Sequence, residues 1–113
     1  MAPEPRLSAD FWVRAYLARL QAANVPAYVI HRGDATAGAV LVKCASLDGR
    51  AEAFHRGYDL STGKRTWVAL AEGSEAEVDA AIARQRGYDS DLWVIEVESR
   101  DGRTLLDEDG LSD

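Results

Sequence analysis

The chain has 113 residues, of which 47% are hydrophobic and 28% are charged, and its formal net charge is −6. This length suits one domain with a single modest core, and the composition excludes a disordered chain. The negative charge argues against non-specific nucleic-acid binding, which depends on cationic contacts to phosphate. A local basic surface remains open, since residues 1–70 carry 9 basic and 6 acidic side chains.

The cysteine and histidine content excludes several kinds of site. Cys44 is the one cysteine, which rules out an intramolecular disulfide and a cysteine-rich metal centre. With two histidines and no cluster of histidine and carboxylate residues at ligand spacing, neither a metal nor a cofactor is predicted. Glu96 and Glu98 share one strand face and could coordinate a hard cation, but the solvated side of a strand is the simpler interpretation. The sequence contains no secretory signal and no apolar run long enough to span a membrane. We therefore expect a cytoplasmic protein without membrane contacts.

The first predicted element is a helix that begins after Ser8, a residue suited to an N-cap, and ends near Ala23. Its end follows from Pro26, because the residue before a proline leaves the helical region. One stripe of apolar side chains recurs at three- and four-residue spacing: Trp12, Val13, Tyr16, Leu17 and Leu20. Residues 1–7 are expected to be flexible.

Four strands follow, separated by polar and glycine-containing connections. Their predicted ranges are 27–31, 39–44, 51–58 and 66–70. Asp48-Gly49 is a strong signal for a tight hairpin turn, and Thr62-Gly63 is expected to close the next one. The three strands joined by these turns form a meander.

A second helix is predicted from Ser74, which forms a capping box with Glu77, to Gly87, the expected stop. A fifth strand covers 92–97, and the acidic tail 107–113 is expected to be flexible. The predicted fold is a single α+β domain with the order α-β-β-β-β-α-β. Two helices pack on a mainly antiparallel meander sheet.

The two hairpin turns predict which side chains share a face of the sheet. With two-residue turns, Lys43 lies opposite Phe54 and Tyr58 lies opposite Trp67. One face then collects small, mostly apolar side chains: Val40, Val42, Cys44, Ala53, His55, Val68 and Leu70. The other, which we name the aromatic–cation face, collects Leu41, Lys43, Phe54, Arg56, Tyr58 and Trp67.

Three interpretations of the aromatic–cation face are open. It is a subunit interface, where aromatic residues and arginine are enriched, or a surface that one helix covers. The third interpretation is an anion or nucleotide site, in which Arg32, Lys43 and Arg56 hold the negative group and aromatic rings stack a base. Interface or helix cover is favoured, because exposed apolar patches most often mark protein contacts.

Two residue pairs suggest catalysis, and neither pattern is specific. Cys44 and His55 lie diagonally on the predicted core face, where a cysteine is more often structural than reactive. His31 and Asp34, at the end of the first strand, form the acid–base pair of a weaker enzyme alternative. The glycines of that loop are more simply explained as turn residues. No catalytic residue is assigned.

Three blocks of the chain resemble a known family: residues 11–16, 33–43 and 89–98. They look like a family of short bacterial proteins, the domain-of-unknown-function family numbered 1491. The resemblance covers nearly the whole chain and implies a free-standing single-domain protein of about this length. It implies no activity, substrate or catalytic residue.

The leading hypothesis is therefore a non-enzymatic protein that acts through protein contacts, as a homodimer formed by the aromatic–cation face. The alternative is a small anion- or nucleotide-binding module that uses the same face.

Overall fold

In the computed structural model, residues 7–112 are described, and they form two helices and five strands. The helices are α1 (Ala9–Ala22) and α2 (Glu75–Tyr88). The strands are β1 (Ala27–His31), β2 (Val40–Ala45), β3 (Arg50–Tyr58), β4 (Arg65–Ser74) and β5 (Trp93–Glu98). This order confirms the predicted α-β-β-β-β-α-β sequence of elements. Except for Leu7, the leader expected to be flexible lies outside the described residues.

The five strands form one sheet in the order β1-β5-β2-β3-β4. Only β2 and β5 are parallel, and the other neighbours are antiparallel, so the sheet is mainly antiparallel as predicted. The last strand of the chain lies between β1 and β2. Its insertion leaves β1 at one edge of the sheet with β5 as its neighbour.

Helix α1 packs its predicted stripe on one face of the sheet. The hydroxyl of Ser8 accepts a hydrogen bond from the amide of Phe11 at 3.3 Å, which confirms the N-cap. The core on this face includes side chains from the helix and from the central strands. Its largest fully buried members are Trp93, Tyr16, Leu20 and Ile95.

Helix α2 packs on the opposite face, where Val78 and Ile82 contact a smaller core around Leu41 and Val94. The hydroxyl of Ser74 accepts from the amide of Glu77 at 3.1 Å, as the capping box predicts. The predicted stop was wrong by one residue. The helix continues through Gly87 to Tyr88 because the glycine keeps a negative φ, and Asp89 forms the C-cap.

The predicted register between β2 and β3 is wrong by one residue. Val42 lies opposite Phe54, and Lys43 lies opposite Ala53. The loop is longer than a two-residue turn: the amide of Ser46 donates to the carbonyl of Arg50, and Leu47 takes a left-handed φ of 65°. Because side chains alternate, this slip moves Leu41 and Lys43 off the aromatic–cation face.

The register of the next hairpin differs from the prediction by two residues. Because side chains alternate along a strand, a shift of two residues leaves each side chain on its predicted face. Arg56 lies opposite Trp67, and Tyr58 lies opposite Arg65. The connection is a six-residue loop, 59–64, in which the amide of Asp59 donates to the carbonyl of Lys64. Phe54, Arg56, Tyr58 and Trp67 therefore share one face, as predicted.

The C-terminal segment, which we define as residues 99–112, packs on the α1 side of the sheet. Leu105, Leu106 and Leu111 are buried in that core. The side chain of Arg19 also donates to the carbonyl of Asp109 at 2.7 Å. The flexibility of residues 107–113 stays a prediction, and residue 113 lies outside the described range.

Candidate functional site

The aromatic–cation face has a stacked arginine at its centre. The Cζ atom of Arg56 lies 4.6 Å from the ring centroid of Trp12 and 4.9 Å from that of Trp67. The two tryptophan rings are themselves 5.5 Å apart. Such a cation–aromatic cluster stabilises both the charge and the packing of the rings.

Helix α1 and the C-terminal segment cover most of this face. Trp12 comes from α1, and the indole of Trp67 donates to the carbonyl of Leu111 at 2.7 Å. Phe54 and Trp67 are partly buried against the α1 core, whereas Tyr58 is 61% exposed. Sequence reasoning found the strand residues but missed Trp12 and Leu111, although Trp12 was already placed on the inner stripe of its helix.

Lys43 lies on the opposite face, beneath α2. Its side chain is 6% exposed, and its Nζ atom contacts three carboxylates. These carboxylates belong to Glu75 at 3.0 Å, Asp79 at 2.8 Å and Glu96 at 3.0 Å. Burial alone would lower the pKa of Lys43, but its hydrogen bonds to the carboxylates outweigh burial and raise that pKa above the ordinary value. The surroundings are net negative and repel an anion.

Arg32 contacts neither the rings around Arg56 nor the carboxylates around Lys43. Its guanidinium is 5.4 Å from the ring centroid of Trp93 and 3.8 Å from the carboxylate of Asp10. The structure therefore does not bring together the three cations that sequence reasoning assigned to one anion. Lys43 and Arg56 occupy opposite faces of the sheet, and the rings that were expected to stack a base flank Arg56 instead.

The first pair considered for catalysis, His31 and Asp34, makes separate structural hydrogen bonds. His31 Nδ1 makes a 2.9 Å hydrogen bond with the carbonyl of Leu92. The carboxylate of Asp34 accepts from the amides of Thr36 and Ala37 and so braces its own loop. The pair is thus occupied by structural hydrogen bonds.

Cys44 lies opposite Glu52 and not Ala53, which places it on the α1 face while His55 points to the other face. The thiol is buried, and this burial, followed by the charges of Glu52 and Asp101, raises its pKa. A raised pKa disfavours the thiolate, the reactive form. The geometry supports a structural cysteine.

The exposure of strand β1 is a surface feature that sequence reasoning missed. Three consecutive apolar side chains are exposed on it: Tyr28 at 50%, Val29 at 42% and Ile30 at 57%. A bulge at Ile30 interrupts the pairing with β5. The signal in the sequence is the run Tyr28-Val29-Ile30, which lacks the polar–apolar alternation of a half-buried strand.

Across residues 7–112, no group of three histidine, cysteine or carboxylate side chains is placed to hold a metal ion. Within the same range, neither helix is long and apolar enough to cross a membrane.

Comparison with known proteins agrees with the fold. The family model described as protein of unknown function DUF1491 matches residues 7–107. The chain belongs to the DUF1491 family. A crystal structure of a DUF1491 protein from Caulobacter crescentus CB15 is similar, with 38% identity and a TM-score of 0.81. That match covers 90% of this chain and 96% of the other.

Two solution structures extend this DUF1491 comparison. An NMR structure of a family protein from the same Caulobacter strain is 38% identical over 89% of this chain and 93% of the other, with a TM-score of 0.76. Protein Atu0922 from A. tumefaciens is 30% identical over 84% and 87% of the two chains, with a TM-score of 0.70. No curated protein matches the chain.

Proposed function

We propose that this DUF1491 protein acts through protein contacts, as a homodimer in which two β1 strands pair edge to edge. The observation that carries the proposal is the exposure of Tyr28, Val29 and Ile30 on an edge strand. An edge strand offers backbone donors and acceptors to a further strand. Pairing would satisfy those groups and cover the apolar side chains at the same time.

The composition of β1 supports pairing over protection. Edge strands are commonly protected by lysine, proline or a bulge. Residues 27–30 carry neither a charge nor a proline, and the bulge at Ile30 is the one such device on β1. Three exposed apolar side chains at an unpaired edge favour association over a solvated surface.

A second copy of the chain suits this edge because antiparallel pairing about a twofold axis is self-complementary. An axis through Val29 would place Tyr28 opposite Ile30 of the partner subunit. Aromatic and β-branched side chains form favourable cross-strand pairs, worth about 0.2–1 kcal/mol each. The facing segments are uncharged, so two chains of net charge −6 would meet without like charges in contact.

The edge is a better interface than the aromatic–cation face considered from the sequence. Phe54, Arg56 and Trp67 contact α1 or the C-terminal segment, and Tyr58 is the most exposed member of that set. A dimer through that face would have to use Tyr58 and its surroundings. The two interfaces are therefore separable by single substitutions.

The experiment is light scattering after size exclusion on the wild type and three lysine variants, with circular dichroism to confirm folding. Ile30→Lys places a charge at the proposed interface, and Tyr58→Lys tests the aromatic–cation face. Leu60→Lys is the matched control, since Leu60 is 100% exposed in the 59–64 loop. We expect dimers of the wild type, Tyr58→Lys and Leu60→Lys, and a folded monomer of Ile30→Lys.

Two results would contradict the proposal. A wild type that stays monomeric up to a concentration of about 1 mM excludes a homodimer of useful affinity. A dimer that survives Ile30→Lys but dissociates in Tyr58→Lys moves the interface to the aromatic–cation face.

A further inference from the structure

Strands β2 and β3 separate at one end of the sheet. Their pairing runs from Ala45 opposite Ala51 to Val42 opposite Phe54 and stops there, although β2 begins at Val40 and β3 continues to Tyr58. On its other side β3 stays paired with β4 as far as Tyr58. The far part of this hairpin, residues 55–68, therefore leaves the sheet as a two-stranded segment, which we name the hairpin arm.

A bulge explains where the arm leaves the sheet. Ala53 pairs with Ala71 and Phe54 pairs with Ala69, so Leu70 is an extra residue on β4. A bulge of this kind bends the strand and increases its twist. The bend coincides with Phe54, the last residue of β3 that pairs with β2.

The separation opens a cleft of about 1380 Å³. Its lining includes Trp12 from the α1 side and Gln85 and Leu92 from the α2 side. A cleft that reaches both faces of a sheet passes between its strands. One wall is formed by residues 36–40, whose side chains are small, and the other wall is the hairpin arm.

The wall formed by the arm is rich in basic side chains. His55, Arg56, Lys64 and Arg65 all line the cleft. Within residues 7–112, Lys64 and Arg65 make no ion pair. Arginine and lysine that remain unpaired beside a cleft are suited to carboxylate or phosphate groups.

The carboxylates that line the cleft are Asp59, Asp89 and Asp109. Two of them brace turns: Asp59 accepts from the hydroxyl and amide of Ser61, and Asp89 accepts from the amide of Asp91. Three permanent cations thus balance three carboxylates here, in a chain of net charge −6. An anion in this cleft therefore meets less negative charge than the net charge of the whole chain would suggest.

We propose that this cleft binds a small organic anion, with Lys64 and Arg65 supplying the positive charge that attracts its carboxylate or phosphate group. The rest of the ligand lies along residues 36–40. The rings of Trp12 and Trp67 flank Arg56 and are not free to stack a base. The proposed ligand is therefore not a nucleotide held by ring stacking. This binding function is separate from the proposed dimer, since the arm and β1 are different elements.

The test follows backbone amide signals of the isotopically labelled full chain by NMR at low ionic strength. Pyrophosphate and citrate are the probes, one for each anionic group. We expect saturable shifts in residues 36–40 and 55–66, and a loss of affinity of about tenfold or more in Lys64→Gln/Arg65→Gln. The probe that binds more tightly identifies the preferred group.

The matched control is Arg50→Gln/Arg100→Gln, which removes the same charge at the opposite end of the sheet from two exposed arginines. Affinity should change less than about twofold there, because screened charges at a distance contribute little. Two results overturn the proposal. One is the absence of saturable shifts at about 10 mM of either probe, and the other is an equal loss of affinity in both double variants.

Discussion

The Nζ atom of Lys43 lies 2.8 Å from Oδ1 of Asp79, and this ion pair ties β2 to the helix α2 that packs on the same face of the sheet. Glu75 on the same helix and Glu96 on β5 complete the shell around the ammonium. The lysine is 6% exposed, whereas Asp79 is 58% exposed. The ammonium group is therefore buried, whereas the carboxylate of Asp79 remains in contact with solvent. This solvent contact limits the desolvation cost of the pair.

Removing this lysine should destabilise the fold. Lys43→Met keeps the length of the side chain but leaves three carboxylates facing one another. Because those carboxylates are partly exposed, we expect a loss of about 2 kcal/mol, less than for a fully buried pair. Urea unfolding at pH 7 measures this loss in the free energy of unfolding.

Lys64→Met is the matched control for Lys43→Met, since Lys64 is the other lysine of the chain and is exposed. Its unfolding free energy should lie within about 0.5 kcal/mol of the wild type. Equal losses of unfolding free energy in the two variants would show that the three carboxylates around Lys43 contribute nothing specific to stability.

Glu52 and Glu72 lie directly opposite each other on β3 and β4. Burial, followed by the charge and hydrogen bond of Glu72, raises the pKa of Glu52. A carboxyl whose folded pKa exceeds its unfolded value favours the folded state when protonated, so this contribution is lost as pH rises between those values. Glu52→Gln should therefore raise Tm at pH 7 and leave it nearly unchanged at about pH 3.5.

Glu98→Gln on β5 supplies the comparison for Glu52→Gln, because no glutamate lies opposite Glu98 in its pairing with β2. Like charges in direct cross-strand contact cost about 0.2–1 kcal/mol. The gain in stability at pH 7 should fall in that range for Glu52→Gln and be smaller for Glu98→Gln. A gain for Glu52→Gln that is the same at both pH values would contradict the assignment.

Periodicity and capping were sufficient to predict the helices, because each signal lies within a few residues of the element it forms. The Ser8 and Ser74 caps and the inner stripe of α1 are all local patterns. The position of β5 between β1 and β2 is different. It depends on pairing between segments about fifty residues apart, on which local patterns carry little information.

The register of β2 and β3 shows why the candidate site was only partly predictable. Asp48-Gly49 favours a two-residue turn, but Leu47 adopts a left-handed φ and lengthens the loop. The observed register places Val42 beside Phe54 on the α1 core, so burial outweighed the local turn signal. The slip separated Lys43 from Arg56, while the two-residue error in the next hairpin left Arg56 beside Trp67.

The stacked arginine should contribute measurably to stability. Arg56→Met retains an apolar stem and removes the charge between the rings of Trp12 and Trp67. Since partly desolvated cation–aromatic contacts are worth about 0.5–2 kcal/mol, we expect a loss in that range. Urea unfolding followed by tryptophan fluorescence measures the loss, and the emission of the native state should also change.

Arg65→Met is the control for this effect, because Arg65 lies on the same face of the hairpin opposite Tyr58. The free energy of unfolding of Arg65→Met is expected to differ from that of the wild type by less than about 0.5 kcal/mol. A similar loss at both positions would mean that charge on the hairpin matters and the stacking geometry does not.

Gly33 and Gly87 should respond in opposite ways to alanine. A Cβ at Gly33 would collide with the backbone carbonyl of Asp91 and lie 2.7 Å from the backbone nitrogen of Trp93, neither of which can move as a side chain does. Overpacking of this kind costs about 1–3 kcal/mol. At Gly87, inside α2, no atom outside the helix lies within 4 Å, so alanine should stabilise the helix by about 0.5–1 kcal/mol. Thermal unfolding of both variants measures this, and a neutral Gly33→Ala would show that the loop 32–38 does not pack closely on β5.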